Sequence, residues 1–140
     1  MVPAIAVLAA NASGKTVIKG AERLRYKESD RIESVVYNLK ALGADVEETS
    51  DGMIIYGGKK LHSAKLKGYN DHRIVMAFSV AAMNIGDCEI DDAQSINKSY
   101  PLFFDDFNNL GGNADVLLNS AIKLNYLYSA KAMVSNRLCN

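Results

Sequence analysis

The chain has 140 residues, of which 49% are hydrophobic and 23% are charged. These proportions are ordinary for a folded globular protein and argue against disorder, and the length suits one domain or part of a larger one. The 16 basic residues balance 16 acidic ones, so no global charge favours binding to nucleic acid or to a membrane surface. Any site for an anion must therefore depend on where individual cations lie.

The cysteines and the N-terminal segment indicate the cellular setting. Cys88 and Cys139 lie far apart, and neither has the spacing of a metal site, which favours a reduced, cytoplasmic environment. No apolar run approaches the ~20 residues needed to span a bilayer. Residues 1–8 are apolar but lack the basic residues that begin a signal peptide. We expect a buried helix there.

Patterns in the first half predict two helices, a strand and a hairpin. Residues 3–12 are apolar on nearly every side, which predicts a helix buried all round, and residues 15–20 are typical of a short strand. Asp30 is expected to cap the next helix, with Glu33 in capping-box position. The apolar face of that helix comprises Ile32, Val35, Val36, Leu39 and Leu42. Segments 44–49 and 53–56 then predict a hairpin around residues 50–52.

The second half repeats this pattern. Asn70 or Asp71 can cap a third helix over residues 74–83, again apolar nearly all round, and residues 88–91 resemble a strand. Ser99 is expected to cap a fourth helix with Pro101 in its first turn. A final strand is expected over residues 114–118.

The two halves align at an offset of about 70 residues, which is longer than the ~20–50 residue period of solenoids and propellers. We therefore predict a duplicated α/β unit over residues 1–116. Residues 117–140 show no repeat and are assigned as a tail of unknown structure, with no function.

Three clusters of polar residues precede the predicted helices. They occupy residues 23–31, 69–73 and 97–101. Helix N-termini carry unpaired N–H groups and partial positive charge, so adding Lys or Arg there favours anion binding. One such cluster alone is more often a solvated surface. Three clusters spaced by a repeat indicate convergence on a small polyanion.

The motifs in these clusters resemble those of the 5-enolpyruvylshikimate-3-phosphate synthase family. They are Lys27-Glu28-Ser29-Asp30-Arg31, Asp71-His72-Arg73 and Lys98-Ser99-Tyr100-Pro101, in the family's order and spacing. The resemblance covers about residues 2–116. It implies an α/β fold that is part of an inside-out α/β barrel, the enolpyruvyl transferase fold. About two repeated units of the C-terminal domain would be present, with buried helices and outer sheets.

The resemblance also implies a transferase reaction of the shikimate pathway of aromatic amino-acid biosynthesis. A hydroxyl of shikimate 3-phosphate adds to phosphoenolpyruvate, whose methylene carbon takes a proton, and phosphate then leaves. Arg31, Arg73 and Lys98 match positions that bind phosphoenolpyruvate, and Lys27 matches a lysine that contacts shikimate 3-phosphate and the reacting centre. Glu28 matches a carboxyl group of the proton transfer, and His72 a histidine near it, although a structural role for His72 stays open. No metal and no organic cofactor are implied.

The chain departs from the family pattern in one place. The family's catalytic aspartate lies just upstream of the first helix, but Met1, Val2 and Pro3 stand here. The substrate-binding residues of the other domain also belong to the remainder of the parent enzyme. We therefore expect this chain alone to bind weakly and to be inactive, and its apolar helix faces to allow self-association. Two alternatives stay open: a UDP-sugar enolpyruvyl transferase, and a non-catalytic fragment or binding module of the same fold.

Overall fold

The computed structural model describes residues 1–117 and 120–126. Four α-helices are present in this part of the chain: α1 (Val2–Asn11), α2 (Arg31–Ala41), α3 (His72–Ala82) and α4 (Phe103–Asn109). Short 3-10 helices cover Glu22–Tyr26 and Ala93–Lys98. The described strands are β1 (Gly14–Ile18), β2 (Asp45–Thr49), β3 (Gly52–Gly57), β4 (Lys65–Leu66), β5 (Cys88–Ile90), β6 (Ala114–Val116) and β7 (Ile122–Leu124). None of the helices in the described ranges is long and apolar enough to cross a membrane.

The strands form two sheets with the same core arrangement. The first has the order β1-β3-β2, and the second has the order β4-β5-β7-β6. In the first sheet, β3 lies between β1 and β2 and pairs antiparallel with both. In the second sheet, β7 lies between β5 and β6 and likewise pairs antiparallel with both. The second sheet adds β4, which pairs parallel to β5 across α3. Each half of the chain thus contains a helix, a strand, a 3-10 helix, a second helix and a hairpin in the same order. This shared order corresponds to the duplication predicted from sequence.

Ordered structure continues past residue 116, because β7 lies in the segment that the sequence left without a structural assignment. Ile122 and Leu124 are each 1% exposed and belong to the hydrophobic core. The final predicted strand forms over Ala114–Val116. Most of the predicted tail, including Cys139, lies outside the described residues.

The two capping predictions for α2 and α3 are confirmed. Asp30 Oδ1 accepts hydrogen bonds from the N–H groups of Ile32 and Glu33 at 3.1 and 3.0 Å. Asp71, one of two candidates, caps α3 by accepting from the Arg73 N–H at 3.0 Å. A carboxylate at each N-terminus satisfies helical donors and complements the helix dipole.

The prediction for α4 is wrong at its start. Ser99 and Pro101 lie outside the helix, whose N-cap is Leu102 without a side-chain hydrogen bond. The chain instead continues from the second 3-10 helix into a turn, in which the Ser99 and Tyr100 N–H groups donate to Ile96 O. The helix therefore starts one turn later than its capping pattern indicates.

Helices α1 and α3 are buried on one side only, so the prediction that they are buried all round is wrong for this chain. Each packs against the other, and α1 also packs on β3. There Gly57 allows close approach, because a Cβ would lie 1.9 Å from the Ala12 carbonyl oxygen. On the opposite side Leu8 is 69% exposed and Val80 51% exposed. No described segment covers this face.

The burial of β7 can be tested with Ile122→Ala. The loss of a fully buried aliphatic side chain and the cavity it leaves should lower the free energy of unfolding by about 2–5 kcal/mol. Urea unfolding followed by circular dichroism measures this change. The control is Val116→Ala, at the position paired with Ile122 but 77% exposed, which should cost far less. Equal effects would contradict the packing of β7 in the core.

Candidate functional site

The three polar clusters meet at the carboxylate of Glu28. Glu28 Oε2 lies 3.1 Å from His72 Nδ1 and 3.4 Å from Lys98 Nζ. These residues come from the loop before α2, the start of α3 and the end of the second 3-10 helix. The fold therefore brings together groups that are up to 70 residues apart in the chain.

A strained loop holds Lys98 in this group. Lys98 Nζ also donates to the carbonyl oxygen of Asn70. Tyr69 and Asn70 have φ angles of 54° and 49°, a left-handed conformation that persists only when the surroundings enforce it. A hydrogen bond of 2.9 Å from the Asn70 N–H to Asp92 Oδ2 is among the contacts that hold this loop. The loop thus presents a carbonyl group to the lysine at a fixed place.

Arg31 and Asp71 form a buried ion pair beside this group. Arg31 is 8% exposed and Asp71 is fully buried. Arg31 Nε donates to Asp71 Oδ2 at 2.8 Å, and Arg31 Nη2 donates to Asp71 Oδ1 at 3.2 Å. Ser29 Oγ donates to Oδ2 at 2.9 Å. The pair joins the starts of α2 and α3.

The environment of Asp71 favours its ionised form. Burial by itself raises the pKa of this carboxyl group, since it disfavours charge. The hydrogen bonds from Arg31, Ser29 and the Arg73 N–H outweigh burial, and the pKa lies below its ordinary value of 3.8. Asp71 therefore remains a carboxylate at neutral pH.

Arg25 holds the loop that contains Lys27, Glu28 and Ser29 in place through several hydrogen bonds. Its guanidinium donates to Asp30 Oδ2 and Glu48 Oε1, each at 2.9 Å, and these bonds raise its pKa. It also donates to the carbonyl oxygens of Thr49 and Ser50 at 2.7 and 3.0 Å. The loop before α2 is thereby tied to the β2–β3 turn.

Two of the cations predicted from sequence to bind substrate take no part in these contacts. Lys27 and Arg73 are exposed, and neither side chain has a hydrogen bond or ion pair within residues 1–117 and 120–126. Arg73 borders an open apolar groove of about 570 Å³ between α1, α3 and α4. The groove is otherwise lined by Met1, Pro3, Ala4, Met76, Ala77, Val80 and Phe103. Both cations are thus available to a ligand.

The donor set near Asp71 does not suit a divalent metal. Glu28, Asp71 and His72 each offer one ligand atom within 4.8 Å of the others. However, both oxygens of Asp71 already accept from the Arg31 guanidinium, and this fixed positive charge would repel a bound cation. The arrangement suits an anion better.

Sequence reasoning identified Asp71 as a helix cap and as part of the Asp71-His72-Arg73 motif, but not as the ion-pair partner of Arg31, and it did not identify Arg25, Asn70 and Asp92 as supports. The capping pattern of Asp71 was visible, but its partner lies 40 residues away. The role of the Asn70 carbonyl group depends on backbone geometry, which carries no side-chain signal.

Comparisons with known proteins agree in sequence and in structure. A family model described as EPSP synthase (3-phosphoshikimate 1-carboxyvinyltransferase) matches residues 1–107. The chain is 52% identical over 113 residues to the 3-phosphoshikimate 1-carboxyvinyltransferase of Methanothrix thermoacetophila, covering 81% of this chain and 27% of that protein. For the same enzyme of Methanococcus maripaludis, identity is 45% over 118 residues, covering 84% of this chain and 28% of the relative.

A solved structure of EPSP synthase from Acinetobacter baumannii is similar in fold. It superposes with a TM-score of 0.73 at 36% identity, covering 77% of this chain and 26% of the solved chain. The present chain therefore spans little more than a quarter of the length of these relatives.

The buried Asp71 carboxylate should make the fold sensitive to acid. Because its pKa is lowered on folding, its contribution is present above its ordinary pKa of 3.8 and is lost as pH falls through the folded value. Urea unfolding between about pH 5 and pH 2 should show a falling free energy, with a shallower dependence in Asp71→Asn. Asp45→Asn removes an exposed carboxylate and should keep the wild-type slope. An unchanged slope in Asp71→Asn would contradict the assignment.

Proposed function

Because this chain belongs to the EPSP synthase family, we propose that the whole protein transfers the carboxyvinyl group of phosphoenolpyruvate to the 5-hydroxyl of shikimate 3-phosphate, releasing phosphate. The comparisons confirm the predicted fold class, an α/β chain belonging to the inside-out barrel of these enzymes. Residues 1–116 would form two repeated units of the C-terminal domain. The remainder of the enzyme would supply the other half of the site.

The observation that carries this proposal is the shared contact of Glu28 with His72 and Lys98. A carboxylate that touches residues of both other motifs supports one site built from all three clusters. The buried Arg31–Asp71 pair lies at the same two helix starts. Convergence of cations and helix N-termini is the electrostatic requirement for binding a phosphate and a carboxylate.

The cations would hold phosphoenolpyruvate and stabilise the charge that develops on the departing phosphate. Arg31 and Arg73 present guanidinium groups, which match the planar geometry of carboxylate and phosphate oxygens. Lys98 has two described partners, Glu28 and the Asn70 carbonyl group, and an ammonium group has a third hydrogen to offer. Lys27, which is exposed, would contact shikimate 3-phosphate near the reacting centre.

Glu28 would exchange the proton at the methylene carbon of phosphoenolpyruvate. Both His72 and Lys98 contact the same oxygen, Oε2. Within the described residues, Oε1 has no hydrogen-bond partner, so it is the oxygen available to a substrate. Holding one carboxylate oxygen fixes the direction of the other, which is what a positioned proton carrier requires. His72 would orient Glu28 or pass the proton on.

The same proposal extends to setting and partners. The enzyme would act in the cytoplasm, with phosphoenolpyruvate and shikimate 3-phosphate as ligands and the rest of its own polypeptide as the partner of this chain. The exposed side of α1 and α3 supports self-association when this chain stands alone. Sedimentation velocity of the isolated chain measures that association.

The proposal is tested by assaying the full-length protein with phosphoenolpyruvate and either shikimate 3-phosphate or UDP-N-acetylglucosamine. Phosphate release and mass spectrometry of the product give the acceptor. We expect turnover with shikimate 3-phosphate only. Turnover with the UDP-sugar alone would identify the sister transferase. Absence of turnover with either acceptor would leave a binding module, for which calorimetric titration with phosphoenolpyruvate is the measurement.

Replacement of Arg73 should weaken substrate binding. Loss of one charge-assisted hydrogen bond is worth about 1.5–3 kcal/mol, so Arg73→Ala should raise the KM for phosphoenolpyruvate roughly 10- to 100-fold. Steady-state kinetics of the full-length enzyme measures it. Lys40→Ala removes an exposed cation in the last turn of α2 and should leave KM within twofold. A matching rise in both variants would point to a general loss of charge.

Replacement of Glu28 should affect turnover more than binding. Glu28→Gln keeps the shape of the side chain but removes its proton-carrying oxygen, so kcat should fall about 100- to 10,000-fold. The KM for phosphoenolpyruvate should change little. Glu33→Gln, an exposed change in the first turn of α2, serves as the control. Wild-type kcat in Glu28→Gln would remove Glu28 from the proton transfer.

A further inference from the structure

We infer that Asp71 is a positioning residue, which holds the guanidinium of Arg31 so that its remaining edge faces the anionic substrate. This inference rests on the proposed function, in which Arg31 binds phosphoenolpyruvate. It gives a role to a residue that the sequence analysis assigned only to a motif and to a helix cap.

The contacts of Arg31 leave one part of its guanidinium free. Asp71 engages Nε and Nη2, while Nη1 has no partner among the described residues. Among those residues, Ser95 Oγ is the single buried side-chain polar atom without a hydrogen bond, so Nη1 retains contact with solvent. An arginine fixed along one edge presents its other edge in a defined direction, which reduces the conformational freedom lost on binding.

The carboxylate of Asp71 is itself fully engaged. Oδ2 accepts from Arg31 Nε and Ser29 Oγ, while Oδ1 accepts from Arg31 Nη2 and the Arg73 N–H. Four donors from two helix starts therefore converge on one buried group. Its position is over-determined, as a positioning residue requires.

A purely structural role is the competing explanation, because buried ion pairs and caps also stabilise folds. Thermal unfolding tests the structural explanation, and the sign of the change in anion binding separates positioning from a simple effect of local charge. Removing a carboxylate near an anion site should tighten anion binding if only the local charge matters, since less negative charge remains. If Asp71 positions Arg31, the same change should weaken anion binding.

Asp30 offers a matched control. It also caps a helix and also pairs with an arginine, since Asp30 Oδ2 lies 2.9 Å from Arg25 Nη1. Neither of these described contacts involves Arg31. Asp30→Asn and Asp71→Asn therefore remove comparable groups, of which one contacts the proposed ligand-binding arginine.

The experiment compares Asp71→Asn, Asp30→Asn and Ser29→Ala in the full-length enzyme. We expect Asp71→Asn to raise the KM for phosphoenolpyruvate about tenfold while the KM for shikimate 3-phosphate stays within twofold. Ser29→Ala removes one hydrogen bond to Asp71 and is the milder variant, for use if Asp71→Asn folds poorly. It should raise the KM for phosphoenolpyruvate about two- to threefold. Asp30→Asn, which leaves the Arg31–Asp71 contacts in place, should raise the KM for phosphoenolpyruvate by less than Asp71→Asn does. Thermal unfolding of each variant separates loss of fold from loss of positioning.

A second measurement keeps this inference separate from the proposed function. Titration with inorganic phosphate, followed by calorimetry, should give weaker binding in Asp71→Asn than in the wild type. If the wild type shows no turnover, the proposed activity fails, and the phosphate titration alone decides the role of Asp71. Unchanged or tighter phosphate binding in Asp71→Asn would overturn the inference, as would equal weakening in Asp30→Asn or a wild-type protein that binds no phosphate.

Discussion

The buried contact between Arg31 and Asp71 is the constraint on which the arrangement of the site depends. It joins the first residue of α2 to the N-cap of α3 through two hydrogen bonds. Removing one partner of such a pair leaves an uncompensated charge, so the starts of the two helices must stay together. Glu28 lies three residues before Arg31, and His72 directly follows Asp71. The ion pair therefore brings Glu28 and His72 close to each other.

A neutral chain can still form a strongly polar site because its charges are placed locally. Helix starts contribute N–H donors and partial positive charge, and the side chains add full charges at the same points. Two carboxylates lie among the cations: Glu28 contacts His72 and Lys98, and Asp71 accepts four hydrogen bonds. They orient the neighbouring groups, while Lys27 and Arg73 remain available for an anion.

The duplicated architecture explains why polar loops from the two halves of the chain lie close together. Each unit uses a helix, a strand, a 3-10 helix, a second helix and a hairpin, so the polar loops fall at corresponding places. Packing of α1 against α3 sets the two units side by side. The uncovered apolar side of these helices, with Leu8 and Val80 exposed, is consistent with a chain that spans about a quarter of the length of its relatives.

The sequence by itself indicated the presence of four helices, the β2–β3 hairpin, the caps of α2 and α3 and the polar motifs, because these features depend on short-range periodicity and capping chemistry. Its three polar motifs were also specific enough to identify the family. Tertiary structure alone decided that Asp71 pairs with Arg31 and that Glu28 is shared by His72 and Lys98. The start of α4 and the core position of β7 were likewise settled only there. These features depend on contacts between distant segments, whose geometry is set by packing and has no local pattern in the chain.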